Sequence, residues 1–233
     1  MKKVGILGGI SSASTIAYYK RLMELYFEKF NDYYYPEINI ESLNFQYFTD
    51  MENYNDMGGY KAYILQGIKN LEKAGSEVII MAANSPHSVF PYINSKSHVP
   101  MISIVDSVAK RAVNKNLKKV LLTGIKYTMQ HTFYYDGFMS MGIEMVSPSN
   151  EEQDIIEQII FDELVRNIVS LSSRSTFLDI INKHVETENI DGVILGCTEL
   201  PSLVTGLETP ITFLDSLQIH CEETLNYILQ DQG

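Results

Sequence analysis

Cysteine is scarce here: the 233 residues hold two, Cys197 and Cys221. Two are too few for a disulfide framework, and neither stands in a C-x-x-C or other zinc-ligand spacing. No apolar run approaches the ~18 residues that a membrane span requires. The N-terminus, M-K-K-V-G-I-L-G-G, reaches Gly8 and Gly9 too soon to read as a signal peptide. Basic residues are also short, with 18 Lys and Arg against 29 Asp and Glu, so the net charge is −11 at pH 7. That balance argues against nucleic-acid partners and anionic membrane surfaces. Residues 8–13 read G-G-I-S-S-A, which is not the dinucleotide fingerprint G-x-G-x-x-G, and no phosphate-binding G-x-x-x-x-G-K-[ST] occurs. What remains is expected to be a cytoplasmic protein with reduced thiols, no metal, and no nucleic-acid or membrane partner.

What is present is an alternation of short β-branched runs with longer helical patterns. Strands are predicted at Val4–Leu7, Glu37–Leu43, Glu77–Ala82, Met101–Ile104, Lys119–Thr123, Ile143–Val146, Gly192–Leu195 and Ile211–Leu214. Most are apolar on successive residues, which suits strands covered on both faces. Helices are predicted over Ser14–Phe30, Gly59–Lys73, Asp154–Leu171 and Thr176–Thr187. Alternation of this kind implies an α/β fold with parallel sheets and right-handed crossovers.

The chain repeats itself. Val78–Asn84 (V-I-I-M-A-A-N) lies over Gly192–Thr198 (G-V-I-L-G-C-T), and nearly the same shift brings Val4–Gly8 onto Val120–Gly124. The duplication predicts two pseudo-symmetric α/β lobes, each a short parallel sheet flanked by helices. The first is expected to take residues 1–98 plus 209–233 and the second residues 99–208. The strand and helix of Pro210–Gln232 have no counterpart in the first half and are expected to return to the first lobe. The repeat places Ala83 opposite Cys197, so only one of the two equivalent strand ends carries a thiol.

Ligands of parallel α/β sheets sit beyond the carboxyl ends of the strands. Four such ends combine small residues with hydroxyl or amide groups: Gly8–Thr15, Ala83–His87, Thr123–Met129 and Gly196–Pro201. Turns of this composition bind carboxylates through backbone N–H groups. A lone cysteine is commonly a small apolar filler. Cys197, however, ends a strand before a predicted helix, whose N-terminus favours a thiolate. Cys221 reads as filler in the last helix. Arg166 stands among Glu157, Asp162 and Glu163, either as one member of a solvated helix face or as an arm for an acidic substrate. Tyr33-Tyr34-Tyr35-Pro36 is either core or a patch for self-association.

Five motifs in order, G-G-I-S-S-A-S-T, A-N-S-P-H, T-G-I-K-Y-T-M, I-I-F-D-E-L-V-R and V-I-L-G-C-T-E-L, resemble the aspartate/glutamate racemases of the cofactor-independent Asp/Glu/hydantoin racemase superfamily. The resemblance covers essentially the whole chain and is closest to the aspartate racemases. It implies an active site between the two lobes, a homodimer, an acidic amino-acid substrate, and neither pyridoxal phosphate nor metal. It implies that one cysteine takes the α-proton as a thiolate and a second returns a proton as a thiol. Carried over, Cys197 is the second-lobe acid/base and Ala83 stands where the first is usual. Ile10, Ser11, Asn84, Ser85, Thr128, Arg166, Thr198 and Glu199 are implied to hold substrate or, for Glu199, to tune the thiol. Ser85 and His87 are the nearest stand-ins for the missing group. Alternatives within the same reading are a single-cysteine decarboxylase and a non-catalytic binder of acidic amino acids.

Overall fold

A computed structural model describes residues 1–230. The chain divides into two compact units, one of Met1–Ile104 with the chain from His220 onward, the other of Val105–Ile219. The boundaries expected at 98 and 209 thus fall at Ile104 and His220. The last residues of the expected first lobe, 231–233, lie outside the described residues.

In the first unit, β1 (Val4–Gly8), α1 (Ser12–Phe30), β2 (Ile38–Ser42), α2 (Phe45–Asn53), α3 (Met57–Lys73) and β3 (Val78–Met81) follow one another, then a 3-10 turn at Ser85–Val89 and α4 (Phe90–Asn94). The sheet runs β2-β1-β3, all parallel. The central strand β1 and its neighbour β3 are buried along their whole length, as their unbroken apolar runs require. Helix α3 lays Tyr60, Ile64, Ile68 and Leu71 onto them at helical spacing, and this stripe joins Leu7, Ile79 and Met81 in one core. Each fully buried Ile or Leu there contributes about 1.5–3 kcal/mol.

The second unit holds most of α5 (Ile104–Asn114), then β4 (Lys119–Thr123), α6 (Lys126–Gln130), α7 (Phe133–Ser140), β5 (Glu144–Val146) and α8 (Asn150–Asp162). A 3-10 turn at Leu164–Arg166 follows, then α9 (Leu171–Glu188), β6 (Gly192–Leu195), α10 (Pro201–Val204), β7 (Thr212–Asp215) and the start of α11 (Ser216–Leu229). Its parallel sheet runs β5-β4-β6-β7. Helix α8 opens on a capping box, in which Ser149 and Glu152 satisfy each other's backbone N–H groups.

The repeat seen in the sequence is a repeat of register. Val4 pairs with Val78 in one sheet and Val120 with Gly192 in the other. One step past these ladders, Ala82 N–H donates to Leu7 O at 2.9 Å and Gly196 N–H to Thr123 O at 2.8 Å. Ala83 and Cys197 are the next residues, so each occupies the same place at the end of its own sheet.

The helix expected over Asp154–Leu171 stops at Asp162 and gives way to the 3-10 turn, and two strand expectations need correction. Met101–Ile104 is not a strand: Met101 makes a single parallel bridge to Ile79, and α5 begins at Ile104. The strand near residue 212 does not return to the first unit; β7 pairs with β6, with Val193 opposite Phe213. The two corrections explain each other. The bridge at Ile79 is the first unit's version of the β6–β7 ladder, so the last strand does have a counterpart, reduced to one bridge. Only from His220 does the chain rejoin the first unit.

Candidate active site

The first strand-end loop is fixed by backbone geometry. Gly9 has φ +82°, and a Cβ there would meet Leu43 O at 2.2 Å, so no side chain fits. Gly9 N–H donates to Thr15 Oγ1 at 2.8 Å, and that hydroxyl donates to Ser11 O at 2.8 Å. Ser11 caps α1 through its hydroxyl. Ile10 is buried and Ser11 half-buried at this turn. Ser14 Oγ donates to Ala82 O and ties α1 to the end of β3.

At that end Ala83 is half-buried, while Asn84 and Ser85 are buried. His87 is fixed at both ring nitrogens. Nδ1–H donates to Ala83 O at 3.0 Å, and Nε2 accepts the backbone N–H of Ile104 at 3.1 Å. Burial, with the nearby His220, pushes its pKa down to about 3. His87 is therefore a neutral structural clamp, and its expected role as a stand-in proton donor is corrected: both ring nitrogens are engaged with backbone, and its one N–H proton is held on Ala83 O. His220 is clamped likewise, with Nε2–H on Ile102 O and Nδ1 accepting from Tyr18 Oη, both at 2.9 Å.

One group at this turn escaped sequence reasoning. Glu52, on α2, accepts from Tyr60 Oη at 2.9 Å, and its carboxylate is also hydrogen-bonded by the Ser85 hydroxyl. Burial raises its pKa, and the two hydrogen bonds only partly oppose this. The segment F-Q-Y-F-T-D-M-E-N carries no motif, and the contact with Ser85 is purely tertiary.

In the second unit, Gly196 lets the chain turn tightly: a Cβ there would meet Thr123 O at 2.5 Å. Cys197, Thr198 and Glu199 follow as a half-buried group. Cys197 Sγ–H donates to Glu199 Oε2 at 2.9 Å, and Thr198 Oγ1 donates to the same oxygen at 2.8 Å. The expected thiolate is not the resting form. Burial first, and then the charge and hydrogen bond of Glu199, raise the thiol's pKa well above its ordinary value. The expected helix begins only at Pro201 and has four residues, too few to offset this.

Thr128 lies against this turn, with its methyl 3.6 Å from where a Cβ on Gly196 would stand. It is fully buried, and its hydroxyl finds no hydrogen-bond partner among the described residues. A buried hydroxyl without a protein partner is uncommon. Arg166 sits on the 3-10 turn after α8, exposed, and pairs with no carboxylate among the described residues. The first unit's loops thus bring together Ala83, Asn84 and Ser85 with Glu52, and the second unit's bring Cys197, Thr198 and Glu199 to Thr128. No group of three or more His, Cys, Asp or Glu side chains is placed to hold a metal among the described residues.

Three comparisons bear on this arrangement. The broad specificity amino-acid racemase RacX of Bacillus subtilis (strain 168) is 24% identical over a 236-residue alignment covering 99% of this chain and all of the relative. The crystal structure of an aspartate racemase homologue from Pyrococcus horikoshii OT3 superposes with a TM-score of 0.88 at 40% identity, covering 99% of this chain and 100% of that one. Picrophilus torridus aspartate racemase shares the fold, with a TM-score of 0.76 at 23% identity over 97% of this chain and 94% of that one. The Asp/Glu/Hydantoin racemase family profile matches residues 7–224. The chain belongs to the Asp/Glu/hydantoin racemase family and is an amino-acid racemase, an isomerase.

Proposed function

We propose that this protein interconverts the enantiomers of an acidic amino acid, aspartate or glutamate, by moving a proton at Cα with Cys197 and without a cofactor. The observation that carries the reading is the 2.9 Å hydrogen bond from Cys197 Sγ to Glu199. A thiol so placed has two uses. The carboxylate keeps the proton on sulfur, which makes Cys197 an acid. The same carboxylate accepts that proton when a thiolate base is needed. The α-proton of an amino acid is a very weak acid, so the carbanion must be stabilised as its enolate-like carboxylate. Backbone N–H groups at the strand-end turns and the orphaned Thr128 hydroxyl are the donors that suit this. Asn84, Ser85, Thr198 and the Ile10–Ser11 turn complete the substrate-holding set, and the unpaired Arg166 supports an acidic side chain. On this reading Ala83 stands at the position of the usual first cysteine.

The test is solvent deuterium incorporation at Cα of L- and D-aspartate, followed by NMR. Cys197→Ser is expected to abolish racemisation and the exchange of the enantiomer whose α-proton the thiol takes, and undiminished exchange of both enantiomers in that variant refutes the role of the thiol. Ala83 favours one other reading, a decarboxylase that needs a single thiol to protonate a carbanion; CO₂ release from a disubstituted malonate distinguishes it. The same proposal takes the protein as a cytoplasmic homodimer. Support for self-association comes from Tyr33 and Tyr34, 77% and 80% exposed, beside Phe27. Sedimentation equilibrium tests it.

A further inference from the structure

Resting on the racemase reading, we infer that Glu52 and Ser85 form the proton relay of the first unit and replace the thiol that Ala83 lacks. The geometry leaves this pair as the working group of the turn. Ala83 has no proton to exchange. Asn84 carries an amide. His87 is clamped on Ala83 O and the N–H of Ile104. Ser85 remains, and a serine alone is a poor acid and a poor base. Here its hydroxyl is joined to a carboxylate that is itself oriented by Tyr60 at 2.9 Å, a side chain 1% exposed and thus held firmly. Glu52 meets no cation in this setting: its surroundings are burial and two neutral hydroxyl donors. Burial raises its pKa and so makes it a stronger base than an exposed carboxylate.

The steps balance with no further reactant. The substrate Cα–H bond breaks and its proton goes to Ser85 Oγ. The Ser85 O–H bond breaks in the same step, and that proton goes to the Glu52 carboxylate, so serine ends neutral and Glu52 becomes a carboxylic acid. The electron pair stays on the substrate, spread over Cα and its carboxylate. The Cys197 S–H bond then breaks, its proton forms the new Cα–H bond, and sulfur keeps the pair as thiolate. The opposite enantiomer runs the same steps backwards and restores both groups. Glu52 acts through Ser85 and is a positioning and relay residue; Ser85 is the group that touches substrate.

Glu52→Gln keeps the shape and removes the base. It is expected to lower kcat for aspartate racemisation by about 10²-fold or more with KM little changed. It is also expected to abolish α-deuterium exchange of one enantiomer and leave the Cys197-driven exchange of the other. Glu52→Ala is expected to regain racemisation when formate is added, which a purely structural loss would not. Glu52→Gln racemising within threefold of the unaltered protein would overturn the relay. Loss of exchange for both hands in Glu52→Gln, with no formate rescue of Glu52→Ala, would overturn it too. Failure of the parent reading looks different: exchange of both hands then survives Cys197→Ser undiminished, or is absent from the unaltered protein, and the relay falls with it.

Discussion

His87 and His220 meet edge to face, their ring centroids 5.9 Å apart, in the interior of the first unit. Each clamps backbone: His87 holds Ile104 and His220 holds Ile102. Burial keeps both neutral, with pKa values of about 3 and about 4. In the unfolded chain each titrates near 6.5. Their folded values are depressed, so between the folded and unfolded pKa the unfolded chain binds more protons. Stability is therefore full above about pH 6.5 and is lost as pH falls toward 4 and then 3. Chemical denaturation at pH 7 and pH 5 is expected to show a loss of a few kcal/mol. His220→Gln is expected to be less stable at pH 7 but to show a flatter pH dependence. A midpoint unchanged between the two pH values would contradict the buried-neutral assignment.

Glu199 raises the pKa of Cys197 by its charge and its hydrogen bond, on top of burial. Removing the charge in Glu199→Gln is expected to shift the pH profile of Cys197 alkylation by iodoacetamide to lower pH. Cys221 is fully buried and does not compete. Slower racemisation alongside faster alkylation would separate the proton-acceptor role from simple exposure of the thiol. An unmoved alkylation profile would count against the Cys197–Glu199 pair.

Ala83 is half-buried at the site equivalent to Cys197 and packs against the edge of the first unit's core. In the Glu52→Gln background, where the relay is lost, Ala83→Cys is expected to raise aspartate racemisation by roughly 10²-fold, the usual worth of a placed acid/base group. A simple assay of D-aspartate formation reads the result, and no gain would argue that the two strand ends are not functionally equivalent.

Thr128 presents a buried hydroxyl with no partner among the described residues. Thr128→Val removes that orphan, so the variant is expected to be as stable as the parent or up to about 1 kcal/mol more stable. That corresponds to a Tm rise of roughly 2–4 °C for a chain of this size. Substrate KM is expected to rise severalfold. Lower stability with unchanged KM would mean that the hydroxyl serves the fold and not the ligand.

The parts legible in the sequence are those whose cause is local. Strands β1, β3, β4 and β6 announce themselves because burial on both faces demands unbroken apolar runs, and the repeat fixes which of them pair. Cys197 is legible through that repeat. Helix α2 is not: its face is mixed, and Phe48 is its one buried residue. Glu52 was hidden with it, since its meaning lies in Ser85 and Tyr60, on other elements. The place of β7 was misread because its counterpart is a lone bridge at Met101, too short to leave a pattern. The resting state of Cys197 was misread because sequence shows a nearby helix but not the burial that outweighs it.

Two helices, α5 and α11, each start in one unit and finish in the other, at Ile104 and His220. The first unit is thus assembled from two separate segments, Met1–Ile104 and the chain from His220 onward. During synthesis the whole of the second unit must be made before His220 can reach Tyr18 and Ile102. The second unit, being contiguous, is free to mature earlier, and truncation near the C-terminus should injure the half of the molecule that was made first.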